Sequence, residues 1–334
     1  TLFLLLVYLS SSVPTHARKL PDNRYYYVGK LGESKKIQME LVIRGDTICG
    51  HYYYESIGKP LELSGHLEST GIVQLSEYVE GNKKSTGRFS GEYTFSSDTF
   101  SGMWQSADGR KKIPFNLIKV ADYAFLKTEE DIIKAHAAYP QFLPHNPPLV
   151  KFNRQLKDSV ISRHREFIQE GKENAQIDSA LLRFGWEQHY DCKIEFFSKN
   201  LVSLLFENWQ YTGGAHGNYF YDTKNVTVAD SQIHSLKLKD LFVPGSGYID
   251  TLSQYCLNDL RKQEAGDVVS GRITSLGQKD LQLFTLKPTA IKFTFPPYQV
   301  GPYAQGTLTV SLPYNALLNY IDQDSPLKHF INNP

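Results

Sequence analysis

Cysteine, methionine and tryptophan are scarce in this chain, with three, two and three residues among 334. An odd number of cysteines leaves at least one thiol unpaired, and Cys49, Cys192 and Cys256 have no metal-type spacing. Net charge is nearly absent as well. Thirty-six basic residues against 35 acidic ones give +1, which excludes a broad polyanion-binding footprint and speaks against a nucleic-acid partner. Several motifs are also missing. Without G-x-x-x-x-G-K-[ST] or G-x-G-x-x-G there is no phosphate-cradling loop. Without G-x-S-x-G there is no nucleophile elbow, and without H-E-x-x-H a zinc hydrolase is disfavoured. No long hydrophobic run occurs either. The apolar stretch Leu2–Leu9 is too short for a stable membrane span.

That stretch reads as the core of an export signal. A serine tract and Thr15-His-Ala17 follow it, which fits cleavage after Ala17 and a truncated signal peptide over residues 1–17. No cysteine follows the stretch, so a lipid anchor is disfavoured. The expectation is an exported protein, periplasmic or extracellular.

Aromatic residues are abundant, at 13% with 21 Tyr and 19 Phe, and such residues favour strands. From Arg24 to Leu117 short period-two runs recur about every ten residues. Ile37, Met39, Leu41 and Ile43 form one alternating set; Phe89, Gly91, Tyr93 and Phe95 form another. Turn signals at Arg44-Gly-Asp46, Glu80-Gly-Asn82 and Ala107-Asp-Gly109 separate about eight candidate strands. Residues 22–118 are therefore expected to form an antiparallel β-barrel or sandwich.

Lys119–Val150 carries Pro140, Pro144, Pro147 and Pro148 and reads as a linker or irregular arm. Helical spacing of Leu149, Phe152, Leu156, Val160 and Phe167 then predicts a helix to about Gly171. Trp186–Phe197 and Leu201–Gln210 read as paired strands, and Gly217–Asp222, Thr289–Phe295 and Thr307–Leu312 as further ones. Ile249–Glu264 reads as a second helix. The whole is α+β: a barrel or sandwich, then an α+β domain over 119–332 with a mostly antiparallel sheet.

Cys192 and Cys256 both fall on apolar faces. They could pair, but two separately buried thiols is the favoured reading. The candidate chemistry centres on Gln210-Tyr-Thr-Gly-Gly-Ala-His-Gly-Asn218. Its glycines would allow positive φ or close approach of a ligand, and His216 could act as a base. With no partner nucleophile in view, a glycine-shaped turn fixed by His216 is the simpler reading. Glu187, His189, Asp191, Lys193 and Glu195 share one strand face, by default a solvated one. His51 and His66 could approach each other across strands. Tyr25–Tyr27 and Tyr52–Tyr54 could line a ligand groove, although cross-strand packing is commoner.

Two stretches carry a resemblance. Tyr211-Thr-Gly-Gly-Ala-His-Gly-Asn218 precedes Leu236-Lys-Leu-Lys-Asp-Leu-Phe242. Further on, Phe293-Thr-Phe-Pro-Pro-Tyr-Gln-Val-Gly-Pro-Tyr-Ala-Gln-Gly306 precedes Leu308-Thr-Val-Ser-Leu-Pro-Tyr314. Together with Tyr139-Pro-Gln-Phe142, these resemble the RsiV/PdaC-like extracytoplasmic domain over roughly Lys119 to Phe330. The first half is similar to lipocalin-like or calycin-like β modules. In the RsiV branch the resemblance implies a domain that binds lysozyme. In the PdaC branch it implies an accessory to a peptidoglycan deacetylase whose catalysis lies in a separate domain.

The implied function is a non-enzymatic bacterial cell-envelope protein binding a lysozyme-like protein or a peptidoglycan or other glycan, with no cofactor and no metal. The expected ligand-binding residues are Tyr211, Gly213, Gly214, His216, Asn218, Tyr298 and Tyr303. Two alternatives remain: an envelope-polymer hydrolase or deacetylase-associated enzyme using His216, and a carrier of small apolar ligands inside the barrel.

Overall fold

The computed structural model describes residues 23–68, 71–92, 98–130, 132–144, 147–177 and 185–331. The export-signal reading of residues 1–17 and the alternation at Tyr93 and Phe95 lie outside the described residues.

The first eight strands are β1 (Asn23–Leu31), β2 (Lys35–Arg44), β3 (Thr47–Tyr54), β4 (Pro60–Leu67), β5 (Ile72–Val79), β6 (Ser85–Glu92), β7 (Thr99–Ser106) and β8 (Lys112–Glu130). Each pairs antiparallel with the next, and β1 also pairs with β8, which closes an eight-stranded barrel. Alternation decides what lies inside. Tyr25, Tyr27, Ile37, Met39, Tyr52, Leu75, Phe89, Phe100 and Phe115 form one buried cluster. Its rings make a continuous chain: Tyr27 to Phe100 at 6.1 Å, Phe100 to Phe115 at 4.9 Å, Phe115 to Phe89 at 5.2 Å and Phe89 to Tyr52 at 5.1 Å. Side chains fill the interior, as small barrels require. That packing removes the support for an apolar-ligand carrier through the barrel.

Strand β8 does not stop at the barrel. Its second half, Ala121–Glu130, pairs with β9 (Ile133–Phe142), so strands occupy most of the stretch expected to be a linker. Three of the four prolines there have ordinary strand or helix positions, and Pro144 lies in the turn after β9. Pro140 pairs with Tyr123 beyond the last β9–β10 partner pair, Ala138 with Asp191, where β9 has a single neighbour and a missing N–H costs least. Pro147 and Pro148 open helix α1 (Pro147–Ile177), whose first-turn N–H groups would lack helical partners anyway. The helix runs past Gly171, to Ile177.

From β9, α1 crosses the sheet to the parallel strand β10 (Trp186–Phe197), a β-α-β unit. Antiparallel β11 (Leu201–Tyr211), β12 (Asn218–Ala229) and β13 (Gln232–Ser235) extend the second sheet. The helix buries Leu149, Phe152, Leu156 and Val160 against Ala137, Tyr190, Cys192, Leu204 and Phe206. Because strand side chains alternate, the neighbouring positions His136, His189, Trp209 and Tyr219 lie on the opposite face.

A third layer consists of β14 (Phe284–Leu286), β15 (Ala290–Phe295) and β16 (Leu308–Pro313), with helix α2 (Tyr248–Lys262) packed on it. Buried polar contacts bind it to the second sheet. Ser203 donates to Asn225 at 2.6 Å, Asn225 donates to the Phe284 carbonyl at 2.9 Å, and the Leu286 N–H donates to Ser203 at 2.8 Å. Cys192 and Cys256 are free and buried in different clusters, as the separate-thiol reading expects. No helix of the described residues is long and apolar enough to cross a membrane.

Candidate functional site

The glycine-rich segment is the β11–β12 turn. Gly213 and Gly214 have φ of 94° and 96°, conformations that L side chains rarely adopt. Gly217 has a different reason for being glycine. A Cβ there would lie 2.5 Å from the Trp209 ring, so the turn folds directly onto that indole. Tyr211 donates to the Gly214 carbonyl at 3.0 Å and closes the turn from below.

His216 is fixed at its tip. Its Nδ1 bonds the Gly217 carbonyl at 2.9 Å, and its ring lies on Tyr303 with centroids 3.8 Å apart and planes 17° from parallel. Tyr303 donates its hydroxyl to the same Gly217 carbonyl at 2.5 Å. Burial and the nearby Tyr219 and Tyr298 hydroxyls push the Tyr303 pKa upward. Tyr298 adjoins Tyr303 at 5.6 Å and is 61% exposed, with a φ of 72°.

The Gly301–Gly306 segment that carries Tyr303 is anchored from behind. Gln305 accepts from the Gly266 N–H at 2.9 Å and donates to the Glu264 carbonyl at 2.7 Å. Six of the seven expected residues therefore converge on one surface: Tyr211, Gly213, Gly214, His216, Tyr298 and Tyr303. Asn218 begins β12, paired with Gln210, and its side chain is exposed. Among the described residues no hydrogen bond or ion pair joins the His216 ring to a carboxylate, and no three His, Cys, Asp or Glu side chains are placed to hold a metal ion.

A second concavity lies where the barrel meets the open face of the second sheet, with a volume of about 480 Å³. The barrel supplies Arg24, Glu40, Arg44 and His51; the sheet supplies His136, His189, Asp191 and Lys193. Arg24 spans the junction, donating to Glu40 at 2.9 Å and Asp191 at 2.5 Å while lying 4.0 Å over the Tyr123 ring. Burial lowers the His51 pKa, and burial with the adjacent His189 lowers that of His136.

Within the row from Glu187 to Lys193, His189, Asp191 and Lys193 line this groove and are partly covered where the barrel docks beside the strand. A bulge after Ile194 turns Glu195 into the protein, where it meets Lys287 at 2.5 Å and Lys292 at 3.4 Å. A docked module leaves no periodic mark on the strand it covers, which is why sequence patterning missed the groove.

Two other expectations change. His51 stands opposite Glu40 and Glu62, while His66 stands opposite Thr47 and Gln74, so strand register keeps the two histidines apart. Tyr25, Tyr27 and Tyr52 pack in the barrel core, whereas Tyr26 and Tyr53 donate to Gln38 at the junction, at 2.9 and 2.8 Å. The first three fill the barrel and the other two tie it to the second sheet, and none of them lines the groove.

Comparisons with known proteins match the region that carries the glycine turn and the sheet side of the groove. Residues 126–219 match the model of "Deacetylase PdaC", and residues 239–315 match that of "Protein of unknown function (DUF3298)". Peptidoglycan-N-acetylmuramic acid deacetylase PdaC of Bacillus subtilis (strain 168) is 25% identical over 177 residues, covering 52% of this chain and 38% of that protein. The chain thus spans well under half the length of this curated relative. A DUF3298-family crystal structure from Bacteroides fragilis NCTC 9343 aligns at 17% identity and a TM-score of 0.43, over 64% of this chain and 98% of that one. Another from Pseudomonas aeruginosa PAO1 aligns at 17% identity and 0.40, over 61% and 92%. The glycine turn falls in the first matched segment and Tyr298 and Tyr303 in the second, so this surface lies within the PdaC-like and DUF3298-like part of the chain.

Proposed function

We propose that this chain is an exported, non-enzymatic protein of the bacterial cell envelope that binds a peptidoglycan-type glycan on the His216–Tyr303–Tyr298 surface. The observation that carries this reading is Tyr298. A tyrosine at φ 72° is held in a conformation costing on the order of 1–3 kcal/mol, yet its ring is 61% exposed and packs no core. Strain retained for an exposed ring is explained by recognition better than by stability.

The chemistry of the surface suits a sugar. Tyr298, Tyr303 and His216 offer flat ring faces for the apolar side of a pyranose, and the Tyr211 hydroxyl oxygen offers an acceptor at the edge. The matched relative is named for peptidoglycan, which supports an envelope setting and that ligand class. His216 acts here as a positioned stacking ring, with its Nδ1 occupied by the Gly217 carbonyl.

Calorimetric titration with soluble peptidoglycan fragments tests the proposal. Saturable binding to the wild type, lost in Tyr298→Ala at unchanged melting temperature, is the expected outcome. Turnover of those fragments that disappears in His216→Ala would replace it with the enzyme reading.

A further inference from the structure

We propose that the groove between the barrel and the second sheet is a separate anion subsite, taking the carboxylate of an acidic sugar in a glycan that extends to the Tyr298–Tyr303 surface. The proposal rests on the glycan reading above and adds a second point of contact and a charge preference.

The charges of the groove favour an anion. Its two acids, Glu40 and Asp191, are both engaged by Arg24. Lys193 is paired with Glu207 at 3.1 Å. Arg44 forms no ion pair with any other described residue and donates only weakly, to Cys49 Sγ at 3.6 Å. It is the cation left over. At the rim, His136 Nε2 lies 3.3 Å from Glu129 and His189 Nε2 lies 2.7 Å from Glu187, so each ring has one nitrogen committed.

One buried nitrogen on the groove wall, the Arg24 Nε–H, has no hydrogen-bond partner among the described residues. Buried polar groups without partners are uncommon because each forfeits the hydrogen bond it made to water. An acceptor-rich ligand group entering the groove would satisfy it. A carboxylate provides two acceptor oxygens and the charge complementary to Arg44.

The two sites also share one face. His136 and His189 are cross-strand partners with rings 5.4 Å apart, and His189 lies 5.5 Å from Trp209. Trp209 stands opposite Tyr219 and supports Gly217, which the Tyr303 hydroxyl grips. From β9 to β12 is three strand spacings, roughly 14 Å at about 4.8 Å each. An oligosaccharide of a few residues reaches from one site to the other.

The test compares two tetrasaccharides by calorimetry at pH 7 on the full chain: the neutral N-acetylglucosamine tetramer and one containing N-acetylmuramic acid. The wild type is expected to bind the acidic ligand about tenfold or more tightly, the effect of one charged hydrogen bond. Arg44→Gln should reduce that ratio toward one, with Arg44→Lys restoring part of it. Tyr298→Ala should weaken both ligands while keeping the ratio.

Equal wild-type affinities would overturn the anion subsite and leave the glycan reading standing. So would a ratio that survives in Arg44→Gln at wild-type melting temperature. Absence of binding by either tetrasaccharide would overturn both proposals together.

Discussion

His216 lies flat on Tyr303, with centroids 3.8 Å apart, and both side chains bond the carbonyl of Gly217. One carbonyl thereby locks the turn between β11 and β12 to the segment before β16, which is 86 residues away from it in sequence. The pair is a joint as well as a surface, and its two roles can be separated. Tyr303→Phe removes only the hydroxyl bond and should lower stability by about 1 kcal/mol while retaining the stacking ring. Tyr303→Ala removes both. It should abolish fragment binding in calorimetry, and Tyr303→Phe should retain most of it.

Tyr298 gives a sharper separation. Glycine adopts a φ of 72° without steric cost, so Tyr298→Gly should unfold at slightly higher urea, a gain of up to about 1 kcal/mol after the added chain entropy. The same change should cost most of the glycan affinity. A variant that is both less stable and still competent to bind would show that the ring is structural.

Gly217 and Gly214 are expected to differ for reasons of space. Alanine at 217 would place Cβ 2.5 Å from Trp209, so overpacking should cost about 1–3 kcal/mol and displace His216. Alanine at 214 meets nothing within 4 Å and carries only the strain of a φ of 96°. Urea midpoints of the two variants, read beside their glycan affinities, distinguish a packed turn from a merely bent one. Only Gly217→Ala should lose binding beyond its loss of stability.

The parts of this architecture legible in the sequence are those with a local signature. Alternation in β2 and β6 announced the barrel, helical spacing from Leu149 announced α1, and the positive-φ glycines announced the turn at 213–214. Lys119–Val150 reads as a linker only while its prolines are taken without their neighbours. Pro140 sits past the end of a strand pairing, and Pro147 and Pro148 start a helix. The groove was invisible for a different reason. Arg24, Arg44 and His51 come from the barrel and His136 and His189 from the sheet, and only the docking of one on the other makes them neighbours. The His216–Tyr303 pairing was partly within reach, since both residues lay in the two stretches that carried the family resemblance.

The cysteines should report burial. Burial pushes the Cys192 thiol well above its ordinary range and raises that of Cys256 to about 12, whereas Cys49 is only half-buried. Thiolate is the reactive form, so a disulfide-exchange reagent should modify one thiol per native chain, at Cys49, and all three after denaturation. Mass spectrometry of the labelled peptides checks the assignment. A Cys192–Cys256 disulfide would appear as two thiols that stay unlabelled even in denaturant.

Acid should destabilise the protein in two stages. Burial lowers the pKa of His51, His136 and His164, so the folded state binds fewer protons there than the unfolded chain does. Their contribution is complete above pH of about 6.5 and declines as pH falls below it. Glu195 acts lower down. Burial alone would raise its pKa, but Lys287 and Lys292 outweigh that and hold it at about 2. Against an ordinary value of 4.5, this stabilises the fold by roughly 3 kcal/mol above pH 4.5, a contribution lost as pH falls toward 2. Urea midpoints measured from pH 8 to 3 should therefore show a shallow decline near 6 and a steeper one below 4.5. Glu195→Gln should lose about 3 kcal/mol at pH 7, where it leaves Lys287 and Lys292 without their counter-ion, and should remove the steeper limb. If that limb persists in the variant, another carboxylate governs acid unfolding.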